Sequence, residues 1–189
     1  DLDFNSDIFL MRLDGAQAPI NITRHPDNDE HPRFSADGRL LVFTSERKAE
    51  AYDIMVVALD AEYDGLLDAD QETYHEEAKK AAADRDHQEA TPNVWSWSLD
   101  DAWLRLRRLT TLEGDETRPW MTPGGEAVVF QGSGSNSGLH RIDWKGENRT
   151  KIGTGSVQGF STDGKRLLRV DKGTAVISKT DGKDSTKLG

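Results

Sequence analysis

The sequence predicts an all-β chain of repeated four-stranded antiparallel units, interrupted by one helical insertion. Three observations predict it. A short motif recurs three times and ends each time in a tight turn followed by an apolar strand. The turn glycines of the last two copies, Gly125 and Gly164, lie 39 residues apart, close to the roughly 40–45 residues of one four-stranded unit. The single long stretch without strand patterning is acidic and rich in helix formers.

The copies align without gaps as Pro32-Arg33-Phe34-Ser35-Ala36-Asp37-Gly38-Arg39, Pro119-Trp120-Met121-Thr122-Pro123-Gly124-Gly125-Glu126 and Gln158-Gly159-Phe160-Ser161-Thr162-Asp163-Gly164-Lys165. Each pairs a large apolar residue with Ser or Thr. A turn built on Asp37-Gly38, Gly124-Gly125 or Asp163-Gly164 follows, and these dipeptides suit a two-residue hairpin connection. The runs Leu40 to Phe43, Ala127 to Phe130 and Leu167 to Val170 then read as buried strands. Third strands fall at Asp53 to Leu59, Leu139 to Trp144 and Thr174 to Ser178. Closing strands fall at Arg108 to Thr110, Thr150 to Ile152 and Thr186 to Leu188, and Asp7 to Leu13 with Asn21 to Thr23 repeats the last two strands of a unit.

Units of this size set around one axis make a β-propeller. The chain divides into residues 1–30, the end of a preceding blade; 31–115, a blade with a helical insertion at about 61–92; 116–155, a blade; and 156–189, a last, incomplete blade. The insertion accounts for the 87 residues between Gly38 and Gly125. Fewer than four whole blades leave sheet edges open, so a partial β-propeller is expected, either a fragment or a small ring completed by its N-terminal strands.

Within the insertion, Asp68 to Ala90 reads as an exposed helix. Thr73 with Glu76 has the capping-box pattern, Glu76 and Lys80 form a favourable i,i+4 pair, and Tyr74, Ala78, Ala81 and Ala82 make a narrow apolar stripe. The plainer expectation is a solvated decoration resting lightly on the sheets; the sharper one is an acidic contact surface. Trp95 to Leu109 fits two periods. Trp95, Trp97 and Leu99 alternate like a strand, while Leu99, Trp103, Leu106 and Leu109 also fit helical spacing. Extended chain re-entering the blade at Trp103–Leu109 is the favoured reading.

The net charge of −10 is local. Residues 60–91 hold eleven acids and three bases, whereas residues 93–189 hold twelve acids and fifteen bases. No basic stripe points to nucleic acid. No run approaches the roughly eighteen apolar residues of a membrane span. There are no cysteines, so disulfides and thiolate metal sites are excluded. No signal peptide is visible at Asp1, which itself reads as a cut point.

No cofactor is expected. His25, Asp27, Asp29 and His31 are the weak metal candidates, but Pro32 stands where a calcium loop needs Gly, and the His-Glu-x-x-His zinc motif is absent. Ser135, His140 and Asp143 offer triad residue types without a Gly-x-Ser-x-Gly elbow, in a Gly/Ser-rich hairpin loop, so no catalytic residue is assigned. Trp103 and Trp120 are expected in the core. Trp95 and Trp97 are expected as an exposed pair, and Arg105 with Arg107 as one strand face; these four form the candidate partner surface.

The motif Phe34-Ser35-Ala36-Asp37-Gly38 and its copy Phe160-Ser161-Thr162-Asp163-Gly164 resemble the TolB-type propeller repeat; Met121 and Gly124 depart from it. The polar insertion after Asp53-Ile54-Met55-Val56 and the resumption at Arg105 to Thr110 are similar to the second propeller of tricorn protease homologues. That resemblance implies a non-catalytic propeller segment of a serine peptidase (a hydrolase acting in proteolysis). It would guide or filter peptide substrates and contact the remaining domains of the same polypeptide, in a parent that is cytoplasmic and compatible with a homo-oligomer. The alternatives are a TolB-like protein-interaction propeller of the cell envelope, which would be periplasmic, and the propeller cap of a prolyl-oligopeptidase-like enzyme.

Overall fold

A computed structural model describes residues 5–48, 51–84 and 97–188. Its strands form three four-stranded antiparallel sheets and one two-stranded piece. The piece pairs β1 (Phe9–Leu10) with β2 (Ile20–Asn21). The first sheet contains β3 (Asp29–Phe34), β4 (Leu40–Lys48), β5 (Ala51–Ala58) and β6 (Leu106–Arg108). The second contains β7 (Glu116–Met121), β8 (Ala127–Gly132), β9 (Gly138–Asp143) and β10 (Thr150–Gly153). The third contains β11 (Ser156–Phe160), β12 (Arg166–Asp171), β13 (Thr174–Lys179) and β14 (Thr186–Leu188), in chain order across the sheet. This last unit, expected to be incomplete, therefore has four strands, because Thr186–Leu188 pairs along Ala175–Ile177. The first full unit begins at Asp29, two residues earlier than expected.

Successive side chains of a strand point to opposite faces, so a strand between two neighbours must be apolar on both. In β4, Leu40 and Val42 join Ile54 and Val56 against Val128 and Phe130 of the second sheet. Leu41 and Phe43 point the other way and pack with Ile8 and Ile22 of the two-stranded piece. A smaller cluster of Val129, Leu139, Ile152 and Leu167 lies between the second and third sheets. This face-to-face stacking is the packing of a partial β-propeller.

The repeated turn has a more specific geometry than a two-residue hairpin. Ser35 N donates to Leu40 O, and Gly38 N donates back to Ser35 O, so the loop is wider and holds one β-turn. Only the glycine is left-handed (φ 79° at Gly38, 71° at Gly125, 67° at Gly164). A type I turn followed by a left-handed Gly fits this pattern, whereas a type I′ turn would need positive φ at two positions. Ser35 Oγ donates to Asp37 at 2.6 Å, and Ser161 Oγ donates to Asp163 at 2.6 Å. In the middle unit Gly124 has no carboxylate to offer. Thr122 Oγ1 instead donates to Glu126 at 2.7 Å, reached from the far side of the turn.

The insertion contains α1 (Ala61–Asp64), capped by Asp60 accepting from Glu62 N at 2.9 Å, and α2 (Asp68–Asp84). Because α2 starts at Asp68, Thr73 is interior and its hydroxyl donates to Ala69 O at 3.0 Å, so the capping-box expectation fails. Nor does α2 rest lightly: Gln71, His75 and Ala82 are buried. His75 Nε2 is 2.8 Å from Tyr63 Oη and its Nδ1 is 3.1 Å from Gly124 O. Tyr74 Oη donates to Asp37. The helix thus grips the turn of the first sheet with one residue and the turn of the second with the next. Gly124 explains itself here, since a Cβ at this position would lie 2.8 Å from Lys79 Cα.

Candidate binding site

The first strand of each sheet has the same irregularity. Pairing with the second strand shifts register between Glu30 and Arg33, between Thr117 and Trp120, and between Val157 and Gly159. Each shift is a β-bulge, which bends a strand and redirects its side chains. At the bulge His31 (φ 56°) and Arg118 (φ 54°) are left-handed, a conformation that non-glycine residues rarely adopt. Two of the three bulges therefore carry a left-handed residue.

The three first strands converge on a cavity of about 500 Å³. Its polar lining comes from His31 and Arg33 of β3, Arg118 and Trp120 of β7, Gln131 of β8 and Gln158 of β11. The Arg33 guanidinium lies over the Trp120 ring, 4.0 Å from its centroid. Trp120 is thus part of the cavity wall and half-buried, and the expectation of a core residue is corrected. Pro32, Arg33 and Trp120 also border a second cavity of about 410 Å³, whose other lining includes Phe34, Met121, Pro123 and Phe160. The three aligned apolar residues of the repeat therefore border one space, although Met121 is buried and Phe34 is exposed.

Among the described residues, those expected to form a partner surface are not assembled into one. Trp95 lies outside the described residues. Trp97 stacks on Phe34 at 5.9 Å and its indole N–H donates to Gly38 O at 3.0 Å, so it covers the first turn. Arg105 is buried: its guanidinium donates to Ala58 O at 2.9 Å, to Asp101 at 2.6 Å and to Ser98 O. It ties a 3-10 turn, Ala102–Arg105, to β5, and that turn replaces the extended chain expected from Trp103. Arg105 and Arg107 therefore do not share a strand face, and only Arg107 is exposed. Trp103, expected in the core, is 40% exposed beneath the Arg24 guanidinium.

The weak metal candidates are likewise dispersed. Asp29 is buried and pairs with Arg47 at 3.1 Å. His25 faces Asp27 at 3.5 Å, and His31 faces Glu30 at 3.7 Å. Among the described residues no three His, Asp or Glu side chains converge as metal ligands. In the Gly/Ser-rich loop, His140 Nε2 is bonded to Asn136 O at 2.8 Å, while Asp143 accepts the amides of Lys145 and Glu147. No Ser-His-Asp relay forms there. The turn residues Asp37, Gly38, Gly124, Gly125, Asp163 and Gly164 all lie in the repeated turn described above.

One buried acid stands at the seam of the first two sheets. Glu116 is fully buried, and burial together with the nearby Asp53 carboxylate pushes its pKa up to about 7. Asp53 is held by Arg108 at 2.7 Å. Burial also lowers the pKa of His75.

The sequence did signal the cavity, though at positions the repeat leaves variable. Arg33, Trp120 and Gly159 occupy the same slot, between the Pro, Pro or Gln and the apolar residue of the motif. Residues of a first strand that differ among copies are free to serve a ligand.

Several solved structures share this fold. The tricorn protease superposes with a TM-score of 0.64 at 15% identity, over 97% of this chain and 19% of that one. TolB from Acinetobacter baumannii gives 0.59 at 17% identity, over 96% of this chain and 37% of its own. A putative TolB from Agrobacterium tumefaciens gives 0.59 at 15% identity, over 97% and 56%. The chain thus spans between about a fifth and just over half of the proteins it resembles. No family model matches the sequence, and no curated protein matches it. At these identities the likeness establishes the β-propeller fold.

Proposed function

We propose that this chain is a non-catalytic β-propeller segment that holds an extended peptide or protein segment in the cavity where its first strands converge. The observation that carries this reading is that three bulged strands from three sheets present Arg33, Trp120, Arg118 and Gln158 around one space of about 500 Å³. Concave sites with a few convergent polar groups on rigid elements are where ligands bind. The remaining domains of a tricorn-like parent would supply the peptidase chemistry, and this segment would guide or filter substrate. The likeness to two TolB structures supports a second reading in which the bound segment is a protein partner rather than a substrate.

The test uses Trp120 as reporter. Titration with unstructured peptides is expected to change tryptophan fluorescence saturably, without cleavage. Val157→Trp, which fills the cavity, is expected to abolish the response while leaving the far-ultraviolet spectrum intact. Peptide turnover that tracks the purified protein and disappears in Ser135→Ala or His140→Ala would overturn the non-catalytic reading.

A further inference from the structure

We infer that this cavity selects carboxylate-bearing peptides; the inference rests on the proposal that the cavity holds a peptide. The chain carries thirty-four acids against twenty-four bases. Yet among the described residues no carboxylate lines the cavity, whereas Arg33, Arg118 and His31 do. Such segregation in an acidic chain leaves two guanidinium groups as the charges on the cavity wall.

The two guanidinium groups are also available. Arg33 makes only the face-on contact with Trp120 among the described residues, which leaves its N–H edge open. The side chain of Arg118 has no ion pair or hydrogen bond among them, and its backbone is fixed by an N–H bond to Thr44 Oγ1 at 3.3 Å. Several arginines with buried or half-buried side chains take carboxylate partners, as in Arg47 with Asp29, Arg108 with Asp53 and Arg105 with Asp101. Others, such as Arg107 and Arg166, stand in solvent without one among the described residues. Arg118, itself left-handed, and Arg33, two residues after the left-handed His31, are also left without one among them. The planar fork of Arg matches a carboxylate in two parallel bonds.

The second cavity adds a further requirement. It begins at the same Arg33–Trp120 pair and is otherwise apolar, lined by Phe34, Met121, Pro123 and Phe160. A ligand spanning both places a carboxylate near Arg118 and an apolar side chain beyond Trp120. The chemistry recognised is a carboxylate beside an apolar residue, and the carboxylate can come from an acidic side chain or from a chain terminus.

Three short peptides separate these sources: alternating Glu and Leu with an amidated end, alternating Gln and Leu with an amidated end, and the Gln and Leu peptide with a free carboxyl end. Binding to the intact chain is read by tryptophan fluorescence at low and high salt. The Glu peptide, or the free-ended one, is expected to bind roughly tenfold to a hundredfold more tightly than the neutral peptide. The preference should shrink as salt rises. Arg118→Gln should remove most of that preference, and Arg166→Gln on the last sheet should leave it unchanged. Equal binding of all three peptides, with Val157→Trp still abolishing it, overturns the charge selection and leaves the cavity reading standing. No binding of any of them overturns both. The comparison among peptides needs no variant, so it decides the matter even if Arg118→Gln fails to fold.

Discussion

The two seams between the three sheets are built differently. The first seam stacks Leu40, Val42, Ile54 and Val56 on Val128 and Phe130, fixes β7 to β4 by the Arg118 amide on Thr44, and adds α2 across the outside. The second seam has a cluster of four buried apolar residues. Val157 and Phe160 pack partly buried against them, and Arg169 Nη1 donates to Thr154 O at 2.6 Å. Both seams seat a left-handed glycine from one sheet on a carbonyl of the sheet before: Gly146 on Leu109, and Gly182 on Ile152. The comparison teaches that the backbone seat repeats with the fold, whereas the strength of the seam is set by what is added to it.

The sharpest way to break this comparison is at the seats. A Cβ at Gly182 would lie 2.3 Å from Ile152 O, and φ there is 84°. Gly182→Ala is expected to destabilise by about 3 kcal/mol or more, by strain at a special backbone position. Hydrogen exchange should show residues 156–188 losing protection while the first seam keeps it. Gly146→Ala meets Leu109 O at 2.8 Å and should be milder.

Next comes the clamp. Gly124→Asp restores the residue found in the other two copies, yet it should cost about 2–3 kcal/mol in chemical denaturation, because its side chain enters the backbone of α2. Combined with His75→Ala and Lys79→Gly, the loss should be less than additive, since the three changes share one contact.

Acidity separates the seams more gently. His75 is buried with a lowered pKa, so the folded state binds its proton less readily than the unfolded chain. Stability should therefore fall as pH drops below about 6.5, and replacing His75 by Gln should flatten that part of the profile.

Glu116 has the opposite sign. Its pKa is raised to about 7, so the folded state keeps a proton that the unfolded chain releases near 4.5, and stability should decline as pH rises between these values. Glu116→Gln should raise the melting temperature at pH 8, by on the order of 1–2 kcal/mol in stability, and leave it unchanged at pH 4.

Much of this architecture was legible in the sequence. Phe34, Met121 and Phe160 marked equivalent strands because a large apolar residue, a hydroxyl and a left-handed glycine are local requirements. The insertion was legible for the same reason, since about 61–92 reads as helix with no strand pattern, and α1 and α2 fall within it. What stayed hidden depends on contacts across the chain. Nothing near Arg105 says that it will be buried under Ser98 and Ala58, and nothing near Trp103 says that it will lie outside. The cavity required knowing that the first strands face one another. Only then do Arg33 and Arg118 become neighbours.

The missing side chain at Gly124 makes the helix and the second turn a matched pair. An Asp-Gly turn of the kind found in the other two copies would push against Lys79, so transplanting the second turn and the helix together should be tolerated better than transplanting either alone.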